Sequence, residues 1–213
     1  MLETVLQKLN EYNLLVSQAD EPYSSLYMLS TGDKSDPAHV AILESKIGTA
    51  LPLELKDFYN SMGNIKSNGL NENNSIDIFS TGYLSEKLES SDTWDKIFSL
   101  GLLDMIKFSW GNDRYEIDEL TSKIKDYINS QYICFGWFRT GDNLESANYL
   151  YFDKKGKFGS AFYHQDDFES FFDEEIKPML NGNFAVQTFG ELVVDSMDTI
   201  ITLKKEELEQ LKN

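Results

Sequence analysis

The spacing of apolar residues changes twice along this chain. Up to about residue 131 the apolar side chains recur mostly at helical intervals, whereas residues 132–163 form short runs dense in aromatic and aliphatic side chains. Helical spacing returns after residue 166. This order of helices, strands and helices predicts a single α+β domain, with a central, mostly antiparallel sheet packed by surrounding helices.

Three strands are predicted in the central segment, at residues 132–139, 149–153 and 158–163. The sequence KKGK at residues 154–157 lies between the last two and predicts a hairpin turn. Residues 76–79 form a further short apolar segment. The residues before it, 64–75, are rich in Asn and Gly and predict an exposed loop.

A helical hairpin is predicted near the start of the chain, after a first amphipathic helix over about a dozen residues. Its first helix begins at Asp36-Pro37, a capping carboxylate followed by a proline suited to the first helical position, and ends at Gly48. Its second helix follows a Leu-Pro pair and ends at the Gly-Asn pair of residues 63–64. Residues 83–131 continue with a mostly helical pattern.

The sequence of the last third of the chain predicts a helix and leaves the type of the next segment open. Asp166 or Asp167 is predicted to cap a helix rich in Phe that ends near Gly182. Residues 184–203 contain apolar runs whose type the pattern does not settle, and an extra strand pair is one interpretation. The chain then ends in a polar helix.

Charge excludes several functional classes. The chain has 36 Asp and Glu against 19 Lys and Arg, a formal net charge of −17, so it lacks the basic surface of a nucleic-acid-binding protein. Arg114 and Arg139 are the only arginines, which disfavours an enzyme that handles phosphates. No nucleic-acid partner is therefore predicted.

Cys134 is the only cysteine, so neither a disulfide framework nor a multi-cysteine zinc site is expected. It stands in an apolar run without a neighbouring basic residue, which predicts a buried, unreactive thiol. The N-terminus lacks the pattern of a signal peptide, and no stretch of about 20 apolar residues is present. These features predict a cytoplasmic protein with no membrane partner.

The motifs of the common enzyme classes are absent from the sequence, which contains no GxGxxG, GxxxxGK[ST], HExxH, GxSxG or CxxC. Pairs of carboxylates are frequent, but the composition alone accounts for them. No catalytic residue, metal site or cofactor is therefore predicted. One enzymatic alternative stays open: a small hydrolase or ligand-binding enzyme could use His164 with Asp142 or Asp166.

Three ordered blocks resemble the SUKH superfamily, which includes fungal cell-wall-assembly regulators and bacterial immunity proteins. The first is the helix–Gly–Leu-Pro–helix sequence of residues 42–59. The second is Phe135-Gly136, then Gly141-Asp142, then the strand at residues 149–153. The third is residues 158–164 followed by the aromatic helix. In this resemblance residues 1–213 form one domain, with a core at about 36–180, a helical insertion at about 83–131 and a C-terminal extension at about 184–213.

The resemblance implies a non-enzymatic binding module. Bacterial members commonly neutralise a cognate polymorphic toxin by direct binding, and the net charge of −17 would then attract a basic toxin domain. The alternative is an intracellular regulatory scaffold of the fungal type, although this chain has no low-complexity arms. The acidity itself has a second interpretation, which is that it only keeps the protein in solution.

Partner-binding residues are predicted in two patches. The segment FGWFRTGDN places an aromatic side chain and a rare arginine before a polar loop, a combination typical of binding anchors, although Trp137 could instead pack in the core. The first patch contains Trp137, Arg139, Asp142 and Glu145, and the second contains the acids Asp113, Glu116 and Asp118, expected to be exposed.

Overall fold

A computed structural model describes residues 1–18, 24–68, 74–90, 98–112, 114–140, 145–182, 184 and 186–210. The strands are β1 Leu29–Thr31, β2 Ile65–Ser67, β3 Ser75–Ile78, β4 Tyr132–Arg139, β5 Ser146–Asp153 and β6 Phe158–His164. The helices are α1 Leu2–Gln18, α2 Ser24–Tyr27, α3 Pro37–Ile47, α4 Leu53–Met62, α5 Thr81–Glu89, α6 Leu102–Ser109, α7 Tyr115–Glu119, α8 Ser122–Gln131, α9 Phe168–Phe171, α10 Lys177–Leu180 and α11 Phe189–Gln210, with a π-helical turn at Phe172–Ile176.

The six strands form one sheet in which sequence neighbours are also spatial neighbours, in the order β1-β2-β3-β4-β5-β6. Every pairing is antiparallel. Helices α3 and α4 lie between β1 and β2 in the chain, and α5 to α8 lie between β3 and β4. The predicted single-domain α+β fold with a central antiparallel sheet is confirmed.

Helix α11 covers one face of the sheet, called here the α11 face. The ring centre of Phe189, the first residue of α11, lies 5.8 Å from that of Phe135 on β4 and 5.5 Å from that of Phe158 on β6. It also lies 5.1 Å from Phe58 on α4. Phe189 thus joins three elements in the core. Helix α1 packs beside α11, with Lys205 Nζ 2.9 Å from Glu11 Oε1.

The opposite face, called here the α6 face, is covered by the end of α6 and by the segment from α9 to α10. Trp110, just after α6, donates from Nε1 to the Tyr149 hydroxyl of β5 at 3.0 Å. The Tyr132 hydroxyl of β4 donates to the Met179 carbonyl of α10 at 3.0 Å. With helices on both faces, β4 and β5 are buried almost throughout, which explains their nearly continuous apolar runs.

The two helices predicted for residues 36–63 are confirmed, and their ends have the predicted residues. Asp36 has an extended backbone and accepts a hydrogen bond from the Ala38 N–H, while Pro37 occupies the first helical position. Gly48 ends the helix in the left-handed conformation, with φ at 69°. Gly63 ends α4 with the same φ, and a Cβ there would come within 1.8 Å of the Asp33 carbonyl oxygen. That close approach explains why only glycine fits this turn.

Helix α6 is capped by a side chain from another helix. The residue at its N-cap position is Gly101, which has no side chain to cap the helix. Asn129 of α8 instead accepts from the Leu103 N–H at 2.8 Å and the Asp104 N–H at 3.2 Å through its Oδ1. A Cβ on Gly101 would lie 2.5 Å from the Asn129 Cβ. Glycine therefore lets α8 approach closely enough to cap α6.

Asn129→Ala is expected to lower the free energy of unfolding by about 1–2 kcal/mol, because two N–H groups at the start of α6 lose their acceptor. For a chain of this length that loss corresponds to a fall in Tm of about 2–8 °C, measurable by circular dichroism. Lys123→Ala, exposed on the same helix, is the matched control and should change Tm by less than about 2 °C. Equal effects of the two variants would contradict the capping role.

Side chains occupy both edges of the sheet. On β1, Asn13 of α1 both donates to the Leu29 carbonyl and accepts from the Leu29 N–H, each at 2.8 Å. On β6, the Phe162 N–H donates to Glu175 Oε1 at 3.1 Å, and Phe158 exchanges two backbone hydrogen bonds with Gln187. Both edges are therefore obstructed against the addition of a further strand.

Three sequence-based expectations need correction. Residues 64–75 were expected to be an exposed loop, but residues 65–67 form β2, and Ser75 is buried at the start of β3. An extra strand pair was one interpretation of residues 184–203, but α11 begins at Phe189 and continues to Gln210. The N-terminal helix extends to Gln18, beyond the expected dozen residues. In each case tertiary packing, which a local pattern does not contain, decides the structure.

The other predicted strands agree closely with the structure. Strand β4 has the predicted bounds, β5 begins three residues earlier than predicted, and Gly156 gives the hairpin turn its positive φ of 75°. Asp167, one of the two predicted caps, accepts from the Ser170 N–H at the start of α9. Within the described ranges, no helix has both the length and the apolar composition needed to cross a bilayer.

Cys134 is buried on β4, as predicted, and its Sγ donates to the Gly136 carbonyl at 3.3 Å. Burial raises the pKa of this thiol to about 12. The thiolate, which is the reactive form of cysteine, is therefore scarce at neutral pH.

Candidate functional site

Trp137 lies on the α6 face near the end of β4 and is half-buried. Its ring packs edge-on against Phe79, with centres 4.7 Å apart, and against Tyr149 of β5 at 6.2 Å. The register pairs Trp137 with Asp77 of β3 on one side and with Tyr149 on the other. Three adjacent strands thus place an acid, an indole and a phenol in one row on this face.

Asp77 is the acid of this row. Its Oδ1 accepts from the Ser67 N–H at 3.3 Å. Burial raises the pKa of Asp77 above its ordinary value, while the Ser67 N–H, the Trp137 side chain and the Arg139 charge oppose that rise. The carboxylate therefore lies in a partly dehydrated environment beside the indole.

A cavity of about 260 Å³ adjoins this row of residues at Asp77. Its walls include Asp77 and Phe79, the neighbours of the indole, together with the partly exposed ring of Tyr83. A second cavity, of about 350 Å³, shares Asn64, Lys66 and Ser80 with the first. The Asn64 Oδ1 atom is buried without a hydrogen-bond partner among the described residues. We call the first cavity with its walls at Asp77, Phe79 and Tyr83, together with Trp137 and Arg139, the Trp137 corner.

Arg139 is the last residue of β4 and lies beside Ser75 of β3. Only 7% of it is exposed, and its Nε atom has no hydrogen-bond partner among the described residues. Leaving a buried donor unpaired costs about 1–3 kcal/mol, so such atoms are uncommon in folded proteins. The sequence predicted an exposed aromatic side chain and an accessible arginine, but Trp137 is half-buried and Arg139 is buried.

The other arginine lies on the same face of the sheet. The Arg114 guanidinium lies 5.3 Å from the centre of the Trp110 ring, and Trp110 contacts Tyr149 and Tyr163. Burial raises the pKa of Tyr163, and the charge of Arg114 opposes that rise. Among the described residues, Arg114 Nε and Glu116 Oε2 are buried without a hydrogen-bond partner. Like Arg139 Nε, these atoms lie on the α6 face.

The second predicted patch is divided by the structure. Asp118 is exposed and pairs with Lys107, whose Nζ lies 2.6 Å from Oδ1. Glu116 was expected to be exposed but is half-buried on α7, and its charge helps to raise the pKa of Tyr163. Asp113 lies outside the described residues. Asp118 is thus engaged in an ion pair at the surface. Glu116, the other described member of this patch, lies on the α6 face.

The remaining members of the first patch lie near the end of β6 or outside the description. Glu145 precedes β5, and its Oε2 lies 3.9 Å from His164 Nε2. Asp142 is outside the described residues. Glu145 thus lies next to the strand that pairs with β4, but four residues along it from Tyr149, the partner of Trp137, and its side chain lies at His164 of β6.

The hydrolase alternative combines His164 with Asp142 or Asp166, and Asp142 lies outside the described residues. His164 Nδ1 accepts a hydrogen bond from the Asp166 N–H at 3.1 Å. A nitrogen that accepts cannot also donate to an orienting carboxylate, as a catalytic triad requires. Asp167, nearby, is engaged with Ser170 at the start of α9. These described residues do not assemble a nucleophile–imidazole–carboxylate relay.

Residues that the sequence analysis did not single out complete the Trp137 corner. Asp77, Phe79 and Tyr83 reach it through β3 and the start of α5. The available signal was the alternation in SIDI, which places Ser75 and Asp77 on one face and two isoleucines on the other. Across the described part of the chain, no group of three or more His, Cys, Asp or Glu side chains is arranged to hold a metal ion.

No protein-family model matches the chain, and no curated protein sequence matches it either.

Proposed function

We propose that this chain is a binding protein of the SUKH type, and that it neutralises a cognate toxin by direct contact rather than by catalysis. The observation that carries the proposal is the Trp137 corner, in which a half-buried Trp packs against Phe79 and pairs in the sheet with Asp77, two residues that line an open cavity. Arg139 is buried at the end of the same strand, and its Nε atom has no hydrogen-bond partner among the described residues. Trp and Arg are the residues most enriched among those that dominate binding energy at interfaces.

The net charge supports a basic partner. A protein at −17 attracts a cationic protein over long range and raises its rate of association. If the toxin acts on nucleic acid, its basic surface is the face that an acidic inhibitor would cover. The three sequence blocks similar to SUKH proteins point to the same class of function.

The proposal is tested with the toxic C-terminal domain of a secreted protein encoded next to this chain. Co-expression should restore growth of cells that produce the toxin domain. The purified pair should form a 1:1 complex by light scattering, and its association rate should fall about tenfold or more between 50 and 500 mM salt. Absence of both a complex and growth rescue would contradict the proposal.

A further inference from the structure

A separate cavity of about 250 Å³ lies where the chain from α9 into the π-helical turn passes the outer edge of β6. Its apolar part consists of Phe162 and Phe171. Its polar part consists of His164, Asp167, Ser170, Glu174 and Glu175. A water molecule takes about 30 Å³ in the liquid, so the cavity has room for a long side chain.

The charge around this cavity is strongly one-sided. Residues 164–176 contain the six acids Asp166, Asp167, Glu169, Asp173, Glu174 and Glu175, and no Lys or Arg. The next residue, Lys177, is directed away to Asp173, with Nζ 2.6 Å from Oδ1. Among the described residues that line the cavity, none is a lysine or arginine. The negative potential at the cavity is thus not balanced by its own walls.

The aromatic residues of the cavity provide a second source of attraction for a cationic side chain, in addition to the acids. Phe162 is 44% exposed although it lies on a strand of the central sheet. Aromatic faces attract Lys and Arg cations, and their apolar surface also covers the aliphatic stem of these side chains. The same segment already contains one such contact, with Lys177 Nζ 5.4 Å from the centre of the Phe172 ring.

Glu175 is half-buried in the wall of this cavity, whereas Glu174 is exposed. Its Oε1 accepts from the Phe162 N–H. Burial raises the pKa of Glu175, the Phe162 N–H opposes that rise, and the neighbouring charge of Glu174 adds to it. A cation in the cavity would stabilise the ionised form of this carboxylate, which burial and the charge of Glu174 disfavour.

We propose that this cavity receives a lysine or arginine side chain of the basic partner, with the cationic end against Glu174 and Glu175 and the stem against Phe162. The inference rests on the proposed binding function for the identity of the partner. It does not depend on that function for the preference of the cavity for cations, which can be measured alone.

The test uses blocked peptides as probes and NMR of the labelled full chain. Acetyl-Gly-Arg-Gly-amide and acetyl-Gly-Lys-Gly-amide are compared with the neutral acetyl-Gly-Gln-Gly-amide. The chain has two histidines, His39 and His164, so two imidazoles report on two places. His164 lines the cavity, whereas His39 lines the one beside Gly82. We expect saturable shifts of His164 and Phe162 with a cationic peptide, and none at His39.

The two cationic peptides distinguish a pocket for either side chain from one specific for arginine or lysine. The variant Glu174→Gln/Glu175→Gln should weaken binding at least tenfold, and glutamine at 175 can still accept from the Phe162 N–H. Glu3→Gln/Glu206→Gln removes the same charge from exposed helix positions of α1 and α11 and should stay within twofold. Equal weakening by both variants, saturation by the Gln peptide, or no saturation at all would overturn the proposal. None of these outcomes depends on the toxin experiment.

Discussion

Phe189→Ala is expected to lower the free energy of unfolding by about 3–5 kcal/mol, the range for a buried Phe whose removal leaves a cavity. Phe189 has no exposed surface, and its ring contacts three further phenylalanines, on α4, β4 and β6. Neighbouring side chains on three elements cannot all move into the space. For a chain of this length, Tm should fall by about 6–20 °C.

The matched control for this variant is Val186→Ala, three residues earlier in the chain. Val186 is 55% exposed, so its truncation removes little buried surface and should change Tm by less than about 2 °C. Urea unfolding followed by tryptophan fluorescence gives the free energies directly. If the two variants were equally stable, α11 would not be anchored to the sheet by Phe189.

Trp137→Ala is expected to weaken binding to the cognate toxin domain by about 30-fold or more, which corresponds to about 2 kcal/mol. The indole is the largest side chain of the Trp137 corner, and its truncation also removes the support that it gives to Phe79. Isothermal titration calorimetry measures the change. The loss should appear mainly in a faster dissociation rate, since steering by charge is unaffected.

Two variants keep that experiment interpretable. Tyr115→Ala removes an aromatic side chain that is 66% exposed on α7, and should change affinity less than threefold. Trp137→Phe keeps a ring against Phe79 and Tyr149, so it separates loss of contact with the partner from loss of packing. Full affinity in a folded Trp137→Ala protein would show that the toxin binds elsewhere.

Glu175→Gln is expected to change the pH dependence of stability. Because the pKa of Glu175 is raised above its ordinary value of 4.5, the folded protein binds more protons than the unfolded chain above about that pH. The wild-type free energy of unfolding therefore loses a contribution as pH rises through the raised pKa. The Gln variant should gain stability relative to wild type from pH 4.5 to 7, whereas exposed Glu206→Gln should show no such trend.

The local features of the fold could be predicted where the sequence contains its own signal. Asp36 and Pro37 identify the start of α3, and the dense run at residues 132–139 identifies β4, because a strand buried on both faces needs continuous apolar residues. Strand β2 could not be predicted, since IKS has three residues and a lysine. It is a strand because β1 and β3 pair with it.

The candidate site divides in the same way. Trp137 and Arg139 could be singled out from composition alone, because each belongs to a scarce residue type beside a polar loop. Asp77, Phe79 and Tyr83 could not be, since their position next to Trp137 depends on the register between β3 and β4, separated by more than 50 residues of chain. The cavity beside β6 could not be predicted either, because it depends on how the π-helical turn packs beside that strand.

The position of α11 has a consequence for the order of folding during synthesis. All six strands leave the ribosome before residues 189–210 do, yet Phe189 and the helix that follows it close the core over β4 and β6. Until that helix arrives, one side of the sheet presents bare aromatic rings to the cell, a state prone to aggregation. The nascent chain should therefore depend on chaperone protection late in translation, and truncations that omit α11 should accumulate as insoluble protein.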